Sequence, residues 1–222
     1  MTVKPDQLAT AGLQLRYGDR VIVDGLDLTL PGGAVTAIVG PNACGKSTLL
    51  RGLTRLLAPA AGTVTLDGSD IHRMPARALA KRLGLLPQQP VTPEAITVES
   101  LVRLGPVPAP ADAQPLVGRR PGRRRGGADP DRGRRSCATG RWTNSRGGQR
   151  QRAWIALALA QDTDLLLLDE PTTFLDLRHQ LDVLDLVADL HEEAGRTVVM
   201  VLHDLGQAAR YADHLVVLKD VT

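Results

Sequence analysis

Aromatic side chains are scarce in this chain, with two tryptophans, two tyrosines and one phenylalanine among 222 residues. The stacking surface on which single-stranded nucleic-acid binders seat successive bases is therefore nearly missing. Cysteine is just as sparse. Cys44 and Cys137 stand far apart and form neither a metal-type nor a redox-type pair. No apolar run approaches the ~18 residues of a membrane span, and the opening MTVKPDQL lacks the basic-then-apolar layout of a secretory leader. These absences argue against a disulfide scaffold, an embedded membrane chain and an exported one, and lead us to expect a cytosolic protein. What is present is ordinary: 43% hydrophobic and 23% charged residues match a soluble globule. The length suits one sizeable domain, or one with a small inserted lobe, burying roughly 70% of the unfolded surface.

The net charge of +3 hides an asymmetry. Between Gly105 and Arg150 stand eleven arginines and three aspartates, a balance of +8, so the rest of the chain carries 16 basic and 21 acidic residues, a balance of −5. The same segment holds nine of the 22 glycines and six of the 15 prolines. Residues 105–146 have neither helical nor strand period.

Outside that segment the pattern is regular. Residues 11–30 alternate like strands. Ala34 to Val39 is an apolar run leading into a glycine-rich loop and the start of a helix. Further strands are expected at Thr63–Leu66, Leu83–Leu86, DLLLLDEP, TVVMVLHD and HLVVL, with helices in RQRAWIALALAQ, near Leu175–Glu193, and after His203. Apolar strands alternating with helices predict an α/β fold with a mostly parallel sheet covered on both faces.

Gly40–Thr48, GPNACGKST, fits G-x-x-x-x-G-K-[ST] in the setting that motif requires, between an apolar strand and a helix. The glycines let successive N–H groups face phosphates, and the helix presents its positive end to them. Lys46 would place a charge on the β- and γ-phosphates, and Ser47 would ligate Mg²⁺. Asp169 and Glu170 end another buried strand, where ligands of parallel sheets bind. Asp169 is a candidate metal ligand and Glu170 a candidate to polarise an attacking water. His203 follows a third apolar strand and would end on the same sheet edge. His72, His179, His191 and His214 lack such a placement and read as surface or packing residues. By chemistry alone Tyr17 reads as a packing residue.

These pieces, in this order, resemble the ATP-binding cassette ATPase family. GPNACGKST is similar to its Walker A, LLLLDEP to its Walker B, VLHD to its switch-histidine motif, LLPQQP to its Q-loop with Gln88, Phe174-Leu175-Asp176 to its D-loop, and RYGDR to its A-loop, which would set Tyr17 against adenine. The wording of LLPQQP, RAWIALALAQDTDLLLLDEPTTFLD and VLHDLGQAARYADHLV resembles the ATPase subunits of iron–siderophore importers most, with haem and cobalamin importers as related possibilities.

The resemblance implies a P-loop core of mostly parallel sheet with flanking helices, an N-terminal antiparallel β subdomain and a helical subdomain. It places the nucleotide-binding core at about 10–88 and 147–219 and the helical subdomain at 89–146, all within one cassette spanning residues 1–222. It implies ATP and Mg²⁺ as cofactors. Gly40, Pro41, Asn42, Ala43, Cys44, Gly45, Lys46, Ser47 and Thr48 would bind ATP with Tyr17. Glu170, His203, Lys46 and Gln88 would be catalytic, and Ser47, Gln88 and Asp169 would hold the metal. Asp176 would be the D-loop carboxylate. The implied assembly is a homodimer on two membrane permease subunits, indirectly served by an extracytoplasmic binding protein. It would sit on the cytoplasmic face of the membrane, with no nucleic acid involved.

Two features depart from the family pattern. Where LSGGQ is expected, the chain reads Ser145-Arg146-Gly147-Gly148-Gln149, so Arg146 replaces the signature serine. That loop would act on the ATP of the opposite subunit, and losing one positioned transition-state donor costs about 3–4 kcal/mol. Before it stands RRPGRRRGGADPDRGRR, with almost no apolar helix face. This stretch reads as a polyanion-binding patch, as a disordered insert, or as a slip in reading frame. The genetic code bears on the last reading. Read one base later, the codons of Pro106–Pro110 can spell Arg-Tyr-Pro-His, similar to what siderophore-importer ATPases carry after LVRLG. Read from the third base of Ser136, those up to Arg146 can spell LRDRPVDELS, restoring the signature serine ahead of Gly147. The second departure is the ending at HLVVLKDVT, where family members continue through another strand and helices. Two alternatives to an importer ATPase follow: a degenerate copy that binds ATP without efficient turnover or coupling, and a soluble cassette protein acting on nucleic acid.

Overall fold

Two alternating segments, β1 (Leu8–Tyr17) and β2 (Arg20–Leu30), pair antiparallel from Leu8 opposite Leu30 to Tyr17 opposite Arg20. The computed structural model describes residues 7–88, 163–173 and 175–219. All of them belong to one of the chain's two compact units, formed by Met1–Pro90 and Asp162–Thr222; the other is Val91–Gln161. The helix expected from Gln149, the stretch 105–146 and the Ser145–Gln149 loop lie outside the described residues, as does Phe174.

On the other edge of β1 lies β4 (Ala61–Leu66), also antiparallel, followed by the two-residue β5 (Ser69–Asp70), giving the order β2-β1-β4-β5. Leu8, Leu13, Leu15, Val64 and Leu66 are fully buried, as alternation over a half-covered sheet requires. Where β4 crosses β1 the backbones nearly touch. A Cβ on Gly62, whose φ is +77°, would stand 2.2 Å from the Gly12 carbonyl oxygen, so only glycine fits there.

The second sheet contains β3 (Val35–Val39), β6 (Leu83–Leu86), β7 (Leu165–Leu168), β8 (Thr197–Val201) and β9 (His214–Val217), in the order β6-β7-β8-β3-β9 with every pair parallel. Every residue of β3, β7 and β8 is buried, the mark of a sheet covered on both faces. The helices are α1 (Lys46–Leu53), α2 (Ala76–Ala80), α3 (Leu177–Ala194) and α4 (Leu205–Tyr211). Asp176 caps α3 by accepting from the His179 N–H, and Gly195, in the left-handed region, ends it. Asp204 caps α4 by accepting from the Gln207 N–H. One core joins the two sheets through α1, whose Leu49, Leu50 and Leu53 pack with Leu15 of β1 and Ile38 of β3. Among the described residues, no helix is long and apolar enough to cross a membrane.

The expected parallel α/β core and N-terminal antiparallel sheet are both present. The short β5 and α2 went unread in the sequence, being too brief to establish a period. The parallel order sets the carboxyl ends of β3, β7 and β8 side by side, where such sheets bind ligands.

Candidate nucleotide-binding site

β3 runs into a loop whose shape depends on close backbone approaches. A Cβ on Gly40 would stand 2.4 Å from the Leu218 carbonyl oxygen and 2.9 Å from Cys44 Sγ. Gly45, at φ 98°, is the N-cap of α1, and Ile22 Cγ2 lies 3.0 Å from where its Cβ would be. Lys46 is 5% exposed and donates from Nζ to the carbonyls of Gly40 (2.9 Å) and Pro41 (2.6 Å). Its ammonium is thus held by its own loop's carbonyl dipoles, with no carboxylate paired to it among the described residues.

β7 delivers the two carboxylates, and the Asp169 N–H donates to the Leu86 carbonyl of the neighbouring strand (2.9 Å). Ser47 Oγ donates to Asp169 Oδ1 at 3.0 Å, joining the start of α1 to the end of β7. Burial pushes the Asp169 carboxyl above its ordinary 3.8, and the adjacent Glu170 charge adds to the rise. The Ser47 hydroxyl, Arg51 and His203 pull it the other way. Glu170 sits at φ 50°, a left-handed conformation that costs a non-glycine residue about 1–3 kcal/mol. Its side chain is strongly tethered. Oε2 accepts from Gln88 Nε2 (2.5 Å) and Thr173 Oγ1 (3.0 Å), and Oε1 lies 2.6 Å from His203 Nε2. Sequence reasoning passed over Thr173. Its N–H closes a turn onto the Glu170 carbonyl (3.2 Å), and this three-residue spacing after the acid was the available signal.

These groups face a cleft of about 460 Å³, lined by Asn42, Ala43, Gly45, Lys46, Ser47 and Thr48 from the loop and α1, by Gln88, Glu170 and His203, and by Arg20 and Ile22 of β2. Gly40, Pro41, Cys44 and Asp169 lie outside this lining. The first two contribute carbonyls to Lys46, Cys44 is buried, and Asp169 is reached through Ser47. Tyr17, expected against adenine, is 44% exposed at the end of β1, and its hydroxyl accepts a hydrogen bond from Arg51 Nη1 (3.0 Å), which leaves the ring face open. Arg20 and Ile22 of the same hairpin belong to the lining, and sequence reasoning assigned them nothing. Asp176 caps α3, its Oδ1 2.9 Å from the His179 nitrogen of the backbone and 2.6 Å from Nδ1 of the ring. The His179 N–H, then its imidazole, hold this carboxyl below 3.8.

The arrangement suits a polyphosphate. An unneutralised lysine and a helix N-terminus attract it, and the acid beside a histidine can take a proton. Ser47 and Asp169 offer hard oxygens to a cation that prefers few protein ligands and retains waters. Among the described residues, no group of three or more His, Cys, Asp or Glu side chains forms a metal cage.

Comparison with known proteins agrees with this geometry. The ABC transporter family model matches residues 23–173. The chain is 47% identical over 220 residues to a probable siderophore transport system ATP-binding protein of Bacillus subtilis (strain 168), covering 96% of this chain and 77% of that one. It is 48% identical over 217 residues to an achromobactin transport ATP-binding protein of Dickeya dadantii (strain 3937), covering 95% and 78%. A dimeric bacterial ABC transporter cassette matches with a TM-score of 0.74 at 27% identity, over 96% of this chain and 94% of that one. With a family match over more than half its length and the same cassette fold, the chain belongs to the ABC transporter family, as a P-loop ATPase of that family.

Proposed function

We propose that this cleft binds ATP with Mg²⁺ and that the chain hydrolyses it as the energising subunit of an importer for iron–siderophore-type complexes. In this reading it works as a homodimer on two membrane permease subunits at the cytoplasmic face of the membrane, served indirectly by an extracytoplasmic binding protein. The core at about 10–88 and 147–219 flanks a helical subdomain at 89–146 that grips the permeases. The observation that carries the catalytic part is the convergence of Lys46, Ser47, Glu170, Gln88 and His203 on one cleft. The names of the relatives support the choice of cargo.

Each residue has a task set by its position. The loop N–H groups and Lys46 hold the phosphates. Ser47 and Asp169, with Gln88, would hold the metal ion, which when bound neutralises charge on the β- and γ-phosphate oxygens. Glu170 accepts the proton of the attacking water as the water oxygen bonds to the γ-phosphorus and the bridging oxygen leaves with ADP. Oε2 of Glu170 already has two donors, from Gln88 and Thr173. The water therefore approaches Oε1, where His203 is the sole partner among the described residues. His203 orients that oxygen and stabilises the developing charge. The test is ATP turnover by the full chain assembled with its permeases in vesicles. Rapid turnover that Glu170→Gln abolishes supports the reading, and wild-type turnover no faster than the variant rejects it.

Arg146 in place of the signature serine favours a second reading, a copy that binds ATP without efficient turnover or coupling. The coding DNA across codons 100–150, with the intact mass of the protein, separates the two. A restored LSGGQ supports the importer ATPase, and a confirmed Arg146 supports the weakened copy.

A further inference from the structure

We propose that Thr173 is a positioning residue for hydrolysis, its hydroxyl holding the Glu170 carboxylate so that one oxygen is left to take the proton of the attacking water. The inference rests on reading the cleft as an ATP-hydrolysing site and goes beyond it by naming what aims the base. Thr173 Oγ1 donates to Glu170 Oε2 at 3.0 Å, while Oε1 lies 2.6 Å from His203 Nε2. The last torsion of a glutamate is broad and roughly two-fold, so an acid without a fixed donor presents either oxygen, in many planes, to a water. A donor on one oxygen removes that freedom, and hydrogen bonds to ionised acceptors are among the stronger ones. Thr173 is not among the residues that line the cleft, so it reaches the reaction through Glu170 and not through the nucleotide.

The local chain explains why this residue suits the task. Glu170-Pro171-Thr172-Thr173 is a turn closed by the Thr173 N–H on the Glu170 carbonyl (3.2 Å). Proline at its second position fixes φ there. Glu170 itself stands at φ 50°, a conformation that a non-glycine residue keeps only where its surroundings hold it. Thr173 grips that residue at two points, the carbonyl through its N–H and the carboxylate through its hydroxyl. Gln88 also donates to Oε2 (2.5 Å), but it lies beyond the end of β6, 82 positions away, and is the residue proposed for the metal. Gln88 can leave Oε2 without any change in the turn. Thr173 stays with the acid, because one turn carries both.

Single-turnover hydrolysis and equilibrium Mg-ATP binding, by the full chain assembled with its permeases in vesicles, test the assignment. Thr173→Val keeps the branched shape and removes the donor. It is expected to lower turnover about tenfold to a hundredfold with ATP affinity unchanged, which also shows that the cleft has folded. Thr173→Ser restores the hydroxyl and should return most of the rate. In the Glu170→Gln background no base is left to aim, so Thr173→Val should lower the residual turnover no further. Wild-type turnover in Thr173→Val, a rate in Thr173→Ser as low as in Thr173→Val, or an equal further loss in the Glu170→Gln background would each overturn the proposal. So would an ATP affinity that falls in step with the rate. If Thr173→Val does not fold, Thr173→Ala set against Thr173→Ser decides by the same outcomes. Wild-type turnover no faster than that of Glu170→Gln would reject the hydrolytic reading itself, an outcome distinct from a rapid wild type indifferent to Thr173.

Discussion

The two sheets bury their strands in opposite ways. In the parallel sheet β3, β7 and β8 are buried at every position, whereas β1 and β2 of the antiparallel sheet alternate between buried and exposed. The difference follows from connectivity: crossover helices cover both faces of a parallel sheet, and hairpins leave one face to water. It also divides the cleft. The groups proposed for chemistry stand at the carboxyl ends of parallel strands, tied to one another by crossing hydrogen bonds. Arg20 and Ile22 arise from the half-exposed hairpin. Substitutions at the packed end should therefore act steeply, and those at the hairpin end in graded fashion.

The largest expected effect breaks the packed end. Glu170→Gln keeps the size of the side chain and an acceptor oxygen for Gln88 and Thr173 but replaces the proton-accepting oxygen facing His203 with an amide NH2, and should lower turnover about a hundredfold to ten-thousandfold with ATP affinity little changed. Single-turnover hydrolysis set beside equilibrium nucleotide binding measures both. A parallel loss of affinity would mean that Glu170 serves mainly to shape the cleft.

Next comes a contrast within the parallel sheet. Leu167 in β7 is fully buried, while Val217 at the edge strand β9 is 63% exposed. Leu167→Ala should cost about 2–5 kcal/mol, and Val217→Ala should stay within about 0.5 kcal/mol. Denaturant unfolding of both variants checks the pair. Similar losses would show that β9 is packed far more firmly than its exposure indicates.

What was legible in the sequence follows the same division. The apolar runs 34–39 and LLLLDE are fully buried and the run 83–86 is buried except at Leu85; their signal is hydrophobicity itself, and the loop motif between β3 and α1 has a fixed spacing. Lys46, Ser47, Asp169 and Glu170 could be read because chemistry and position coincide there. The hairpin end could not be read in this way. Arg20 and Ile22 belong to an alternating strand where an exposed arginine is unremarkable, and only the approach of Ile22 to Gly45 makes the pair part of the cleft. Thr173 was hidden for a related reason, since its role depends on a local turn rather than a period. The Arg51 contact of Tyr17 was hidden as well, since the two residues lie 34 positions apart.

The helices that follow β7 and β8 begin at aspartate caps, which offers a smaller test. Asp204 accepts from the Gln207 N–H at 2.8 Å just after His203. Asp204→Ala should cost about 1 kcal/mol, and Asp204→Ser should restore most of it. If unfolding shows no loss for Asp204→Ala, the cap contributes nothing and His203 is positioned by β8 alone.

The smallest effect is a pH dependence at the other cap. The His179 N–H and then its imidazole hold the Asp176 carboxyl below its ordinary 3.8, so the folded chain releases this proton more readily than the unfolded chain. Between the depressed folded value and 3.8 the unfolded state binds more protons, and stability rises with pH across that interval. The contribution of Asp176 is therefore complete above 3.8 and lost as pH falls through the folded value. Asp176→Asn keeps a capping oxygen but cannot ionise, so its deficit relative to wild type should be full near neutrality and shrink below pH 3.8. Thermal unfolding of both proteins from pH 3 to pH 6 measures that difference. A gap of constant size across the range would mean that the neutral cap geometry, and not the carboxylate charge, anchors α3 beside the end of β7.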